Sequence, residues 1–250
     1  MTQPFGHEKL EVYRKALNFA AMRGELLANL PRRVAACDHL ERGAESILVN
    51  ISHASSSWSP KKRIVHLGDA NGSALECAAC LDVFIAKRML VADVVYAGKC
   101  LLAEIVGMLI AMWKTTADRV RENHVTYRTG KGRLFSHEDL DVYQVALDLT
   151  ARGEEMLRGS SCSANLRSKL DKSTTSIVLN IAEGNGRFSG TDQAKFLGIA
   201  YKSITQSASL VDLAAINSST DPDRIEEARE LLRRIAAMLS SLTRTATHDT

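Results

Sequence analysis

SPKKRIVHLGDANGSALECAACLDVFIAKRM, residues 59–89, decides the fold. Ser59-Pro60 is a start signal, an N-cap side chain followed by proline at the first helical position. From there Ile64, Leu67, Asn71, Ala74, Ala78, Leu81 and Ile85 recur alternately three and four residues apart. That spacing is a heptad-like seam, and it requires partner helices on that face. One long amphipathic helix is predicted, reaching about Met89. The partners lie on either side of it. Leu10, Tyr13, Leu17 and Leu27 stripe a first helix over His7–Leu30, ended by Pro31. Leu40, Ala44, Ile47 and Ile51 stripe a second over Arg33–Ala54, broken by Ser55–Ser57. A fourth spans Val94–Val120 with Asp93 at its cap. No period-two strand pattern persists anywhere.

The whole arrangement then occurs again, displaced by 130 residues. FGHEKLEVYRKAL at Phe5–Leu17 returns as FSHEDLDVYQVAL at Phe135–Leu147, and SILVNI at Ser46–Ile51 as SIVLNI at Ser176–Ile181. Residues 5–82 align with 135–212 and 95–115 with 225–245 at that one shift. A period this long marks a duplicated domain, since solenoid repeats run near 20–50 residues. In the second repeat the helices are expected at Ser136–Arg158, Ala164–Glu183, Thr191–Asn217 and from Asp221-Pro222 to about Thr245. Gly184 is expected as a left-handed C-cap. The second-repeat seam is Ala194, Leu197, Tyr201, Ile204, Ala208, Val211 and Ala215. Gly68 and Gly198 share one mid-helix site, where glycine costs about 1 kcal/mol against alanine, so close packing on a neighbouring helix is expected there. The fold class is all-α: two tandem up-down-up-down four-helix bundles, at residues 1–120 and 134–250, joined by a polar linker at 121–133.

Composition narrows the function. The net charge is only +3 over 250 residues. Residues 1–130 hold 17 Lys+Arg against 13 Asp+Glu, giving +4, and the remainder 15 against 16, giving −1. Bulk charge therefore does not announce a nucleic-acid binder. Four of the five cysteines lie in the first repeat, so no cysteine framework is duplicated, which points to a reducing compartment. No signal core and no 18-residue apolar run is read, so a cytoplasmic protein with no membrane contact is expected.

No motif carries catalysis. Cys77-Ala-Ala-Cys80 falls in mid-helix, whereas a redox pair begins at a helix N-terminus; buried small residues are the reading. His7-Glu8 and His137-Glu138 lack the second histidine of a metalloprotease, and no Glu-x-x-His of a di-iron bundle occurs, so capping and surface roles are expected. No catalytic residue, metal ligand or cofactor site is assigned. Lys61, Lys62 and Arg63 crowd a helix N-terminus, with Arg187 in the matching loop. A basic cluster beside unpaired helix N–H groups can hold phosphates. These four are the candidate RNA-binding residues.

The pattern HExLxVYxxAL, then SIxxNIAEGxGR, then FLxIAxxS, resembles the four-helix bundle proteins encoded in intervening sequences of bacterial 23S rRNA genes. The accessory variability proteins of diversity-generating retroelements are similar. The second repeat carries the match at Ser176–Gly184, Gly186-Arg187 and Phe196–Ala200. The first keeps Ser46, Ile47, Asn50 and Ile51, then has Ser52-His53-Ala54 and Ser56-Ser57 instead. The family motif thus falls on Asn50, Asn180, Glu183, Gly184, Gly186 and Arg187, in structural or binding roles. The resemblance implies non-enzymatic binding or scaffolding, self-association between bundles, and, in the retroelement branch, structured RNA or a ribonucleoprotein partner such as a reverse transcriptase. The alternative is a protein-interaction and oligomerisation module without nucleic acid. It predicts an apolar patch on outer helix faces, with Trp58 and Trp113 as candidates because their counterparts are Phe188 and Thr243.

Overall fold

The computed structural model describes residues 6–28, 30–118, 134–157, 162–216 and 220–248. They form eight α-helices, and no strand occurs among the described residues. The first repeat holds α1 (Glu11–Ala28), α2 (Ala35–Ser56), α3 (Pro60–Ala86) and α4 (Ala92–Asp118). The second holds α5 (Asp141–Leu157), α6 (Ala164–Asn185), α7 (Gly190–Ile216) and α8 (Pro222–His248). In each repeat, neighbours in sequence pack together and the last helix closes onto the first, α4 on α1 and α8 on α5. Two four-helix bundles result, as the periodicity predicts. The predicted linker lies outside the described residues.

The seams point where the spacing places them. Leu67, Ala74, Ala78 and Leu81 of α3 have no exposure, and Leu40, Ala44, Ile47 and Ile51 of α2 meet them almost equally buried. The same polar lock fastens the second helix to the third in both repeats. Ser46 Oγ accepts from Ser73 Oγ at 2.8 Å, and Ser176 Oγ lies 2.9 Å from Ser203 Oγ. Asn50 and Asn180 brace it by donating Nδ2 to the carbonyl and hydroxyl oxygens of Ser46 and Ser176. A hydroxyl pair partly buried between helices is tolerated because each member is satisfied. The two family-motif asparagines therefore have a structural part.

Several boundaries differ from the periodic reading. The first helix of each repeat starts later, after a 3-10 turn at Gly6–Lys9 or Ser136–Asp139. The serine run fails to stop α2, which continues to Ser56; Ser56 and Ser57 return their hydroxyls to the His53 carbonyl. Ser59 starts α3 with its backbone carbonyl and makes no side-chain cap. α3 ends at Ala86, short of Met89. α4 begins at Ala92, so Asp93 lies inside its first turn. Gly184 is no left-handed cap. It sits inside α6, and Gly186 ends that helix with φ −86°. The glycine at 184 answers a packing demand, since a Cβ there would lie 3.2 Å from Phe196 Cβ.

α4 has the length and mean hydropathy, 1.8, of a membrane span, although it holds no unbroken 18-residue apolar run. Lys99 and Glu104 interrupt it, and both are ion-paired. Its Leu102, Ile105 and Leu109 are buried in the bundle. Replacing Leu102 with alanine should cost about 2–5 kcal/mol, read as a lower urea midpoint. A loss below about 1 kcal/mol would contradict this placement.

Candidate functional site

The two bundles dock through α3, which lies against α5 and α6, and α2, which touches α6. No comparable packing sets α7 against α1 or α2. The contact is therefore heterologous: unlike faces of the two repeats meet. The first repeat presents its α3 face. The second presents its head, the 3-10 turn with α5, and its corner, the α6–α7 loop.

The corner carries the family motif. Gly186 comes so close to α3 that a Cβ on it would fall 2.1 Å from Leu75 Cδ1. Its carbonyl accepts from Asn71 Nδ2 at 2.7 Å, across the two repeats. Arg187 reaches past it to Asp69 Oδ1 at 2.6 Å and also pairs with Glu183. Its guanidinium lies 4.3 Å over the Phe196 ring and only 3.0 Å from where a Cβ on Gly72 would stand. Phe188 then covers Gly68 and stacks on Trp113, with ring centroids 4.4 Å apart. Burial and the nearby Glu76 push the Glu183 carboxyl up, and Arg187 opposes them. Deleting one partner of such a pair typically costs about 3–5 kcal/mol where both are buried. Here Asp69 is 41 % exposed, which screens its share.

The head makes the second contact. Tyr143 donates to Asp82 Oδ2 at 2.8 Å, and Lys99 Nζ bridges Asp82, at 2.6 Å, and Glu138. Glu138 Oε2 accepts from the Leu134 and Phe135 backbone amides, so the expected capping role is present. The expected surface position is not, since His137, Glu138 and Tyr143 are all buried against the first repeat. Burial, aided by the Lys99 charge, lowers the His137 pKa to about 3. A third contact links Asp171 of α6 with Lys87 and with the Ala35 backbone amide that starts α2.

Asp82, His137 and Glu138 bring potential metal-ligand atoms within 4.8 Å of one another. The ammonium of Lys99 already stands between the two carboxylates and pairs with each, offsetting one of their two charges. Cys77 and Cys80 are fully buried, and burial raises both thiols well above their ordinary range. That environment disfavours thiolate chemistry.

The predicted RNA-binding residues separate. Lys61 and Lys62 are exposed on the first turn of α3 and Arg63 is half-buried. Arg187 is elsewhere, 11 % exposed and ion-paired within the chain. Gly68 meets Phe188 of the other repeat instead of a neighbouring helix, and Gly198 has nothing within 4 Å. Tyr201 leaves the seam and is 44 % exposed. Of the two tryptophans proposed for an outer patch, Trp58 is fully exposed while Trp113 is buried under Phe188. Sequence reasoning missed Asp69, Asn71, Gly72, Asp82, Lys99 and Tyr143. A signal existed for three of them: Asp69, Asn71 and Gly72 become Ile199, Tyr201 and Lys202 in the second repeat.

The neutral, buried His137 sets a pH dependence. Its folded pKa lies below its unfolded value, so the unfolded chain takes up the proton first as pH falls. Its contribution is complete above about pH 6.5 and is lost progressively toward about pH 3. His137→Gln should flatten the fall in urea stability between these limits, relative to the parent chain. An unchanged slope would contradict a buried neutral imidazole at the docking face.

No curated protein and no solved structure matches the chain significantly. One family model matches twice, at residues 8–111 and 138–241, each span enclosing most of one bundle and reaching from the head through the corner into the last helix. The chain belongs, as a tandem duplicate, to the 23S rRNA-intervening sequence protein family.

Proposed function

We propose that this chain is a non-enzymatic cytoplasmic binding and scaffolding module whose working surface docks protein, bundle onto bundle. One observation carries the reading. The family motif Glu183-Gly184-Asn185-Gly186-Arg187 is engaged with protein along its length: Gly184 against α7, Gly186 against Leu75 and Asn71, Arg187 on Asp69. The chemistry fits a specific interface. Aromatic and arginine side chains lie at its centre, and charged pairs fix its register. The intervening-sequence family name describes where such genes are found and assigns no partner.

Gly186→Leu tests this reading. The added side chain cannot coexist with Leu75, so the two bundles should part while each keeps its helical circular dichroism. Trypsin should then cut faster between the repeats. Adding Leu75→Ala should restore much of the resistance. Equal cleavage in the parent chain and the Gly186→Leu variant would contradict docking at this corner.

A second reading, structured RNA as partner, is favoured by the exposed Lys61 and Lys62 beside the N-terminal amides of α3. It predicts filter binding that weakens steeply with salt and is lost in a Lys61→Glu, Lys62→Glu double variant. No binding at low salt would remove it.

A further inference from the structure

A cavity of about 600 Å³ lies where the second bundle meets the first, between α5, α6 and the start of α2. Protein interiors are close-packed, with few voids larger than a water molecule. Small-molecule sites, by contrast, run roughly 300–1,000 Å³. We infer that this cavity binds a small organic anion with an apolar body, of the medium-chain carboxylate class. The inference goes beyond the docking reading, although the first repeat contributes one wall through Val34 and Lys87.

Comparison of the repeats shows how the space arises. Residue 153 is glycine, and its counterpart in the first repeat is Arg23. Arg23 spans the equivalent groove between α1 and α2. Its side chain is 20 % exposed, donates from Nη1 to the Glu41 carbonyl at 3.2 Å and pairs with Glu45 at 3.7 Å. In the second repeat that side chain is gone. A Cβ on Gly153 would meet Thr174 Cγ2 at 3.8 Å and Leu170 Cδ2 at 3.9 Å, which are ordinary contacts. Close helix approach therefore does not demand this glycine, and its effect is to leave the groove empty.

The charge around the groove changes sign at the same time. Glu45, the carboxylate that pairs with Arg23, becomes Thr175, and the buried Cys37 becomes Arg167. One anion is lost and one cation gained. Asp171, the counterpart of Glu41, is held by Lys87 and the Ala35 amide. Arg33 adds a second guanidinium to the lining, and Glu154 one carboxylate. With Lys87 and Asp171 paired, two guanidiniums stand against one carboxylate, which favours a single negative charge on an occupant. The planar guanidinium matches a carboxylate in particular.

The body of the occupant is apolar because the wall is. Val34, Leu157 and Leu170 are buried hydrophobic residues of the lining. Thr150 and Thr174 replace Ala20 and Ala44, yet each returns its hydroxyl to its own helix. Thr150 donates to the Ala146 carbonyl at 2.9 Å and Thr174 to the Leu170 carbonyl at 3.0 Å. The Thr174 methyl is the group that faces Gly153. Neither hydroxyl proton is left for a ligand. A hydrocarbon tail with a carboxylate head among the guanidiniums thus matches this lining better than a sugar or a base.

Titration calorimetry of the full chain with octanoate, below its micelle concentration, and with 1-octanol tests this. Octanoate should bind one per chain, about tenfold or more tighter than octanol. Arg33→Gln combined with Arg167→Gln should erase that preference and leave octanol binding unchanged. Gly153→Arg restores the side chain that the first repeat carries. It should abolish octanoate binding while circular dichroism and trypsin resistance between the repeats stay as in the parent. No octanoate binding, equal binding of octanol, or unaltered octanoate binding in folded Gly153→Arg overturns the inference. Should Gly153→Arg fail to fold, the double glutamine variant decides, and a preference for octanoate that survives it overturns the inference. Docking at the corner is reported by proteolysis of Gly186→Leu, so the two readings fail separately.

Discussion

The close approach of the second repeat's corner to α3 is the constraint on which the rest depends. Residue 186 has no room for a side chain while Leu75 stands as it does, because a carbon there would fall 2.1 Å from Leu75 Cδ1. That approach lets Asn71 reach the Gly186 carbonyl and lets Arg187 cross to Asp69. It also carries Phe188 onto Trp113. Glycine at 186 therefore answers the packing of Leu75 against it. Its φ of −86° is open to any residue.

The docked faces explain the uneven fate of paired motifs. His137 and Glu138 are buried because the first repeat covers them; His7 is half-buried and Glu8 exposed on the outer head. The same residue types are covered by the other bundle in one repeat and lie at the outer surface in the other. Lys99 shows the economy of the arrangement. One ammonium pairs with a carboxylate from each bundle, so neither Asp82 nor Glu138 is buried without a cationic partner.

Much of the fold was legible because helical periodicity and the 130-residue repeat are local patterns. The seam of α3 follows from spacing alone; the serine–asparagine lock shows only once the second and third helices are packed. Boundaries were less legible, since Leu10 and Leu140 join the apolar stripe although each follows a 3-10 turn. The site was least legible. Arg187 and Lys61 look alike in sequence, each basic and near a loop; the packing of the two repeats carries Arg187 onto Asp69, beside its own-helix partner Glu183, and leaves Lys61 exposed. Trp58 and Trp113 were indistinguishable for the same reason. The divergence between repeats did mark the right region, the loop between the second and third helices, without showing what it touches.

Docking of the two bundles in one fixed arrangement is the central claim. Spin labels at Lys114 on α4 and Lys169 on α6, both exposed, measure it directly once Cys100, the one described cysteine that is not buried, is replaced by serine. Doubly labelled chains diluted into unlabelled protein should give a single narrow distance distribution by pulsed electron resonance. A broad distribution, as two bundles tethered only by the linker would give, would contradict the account.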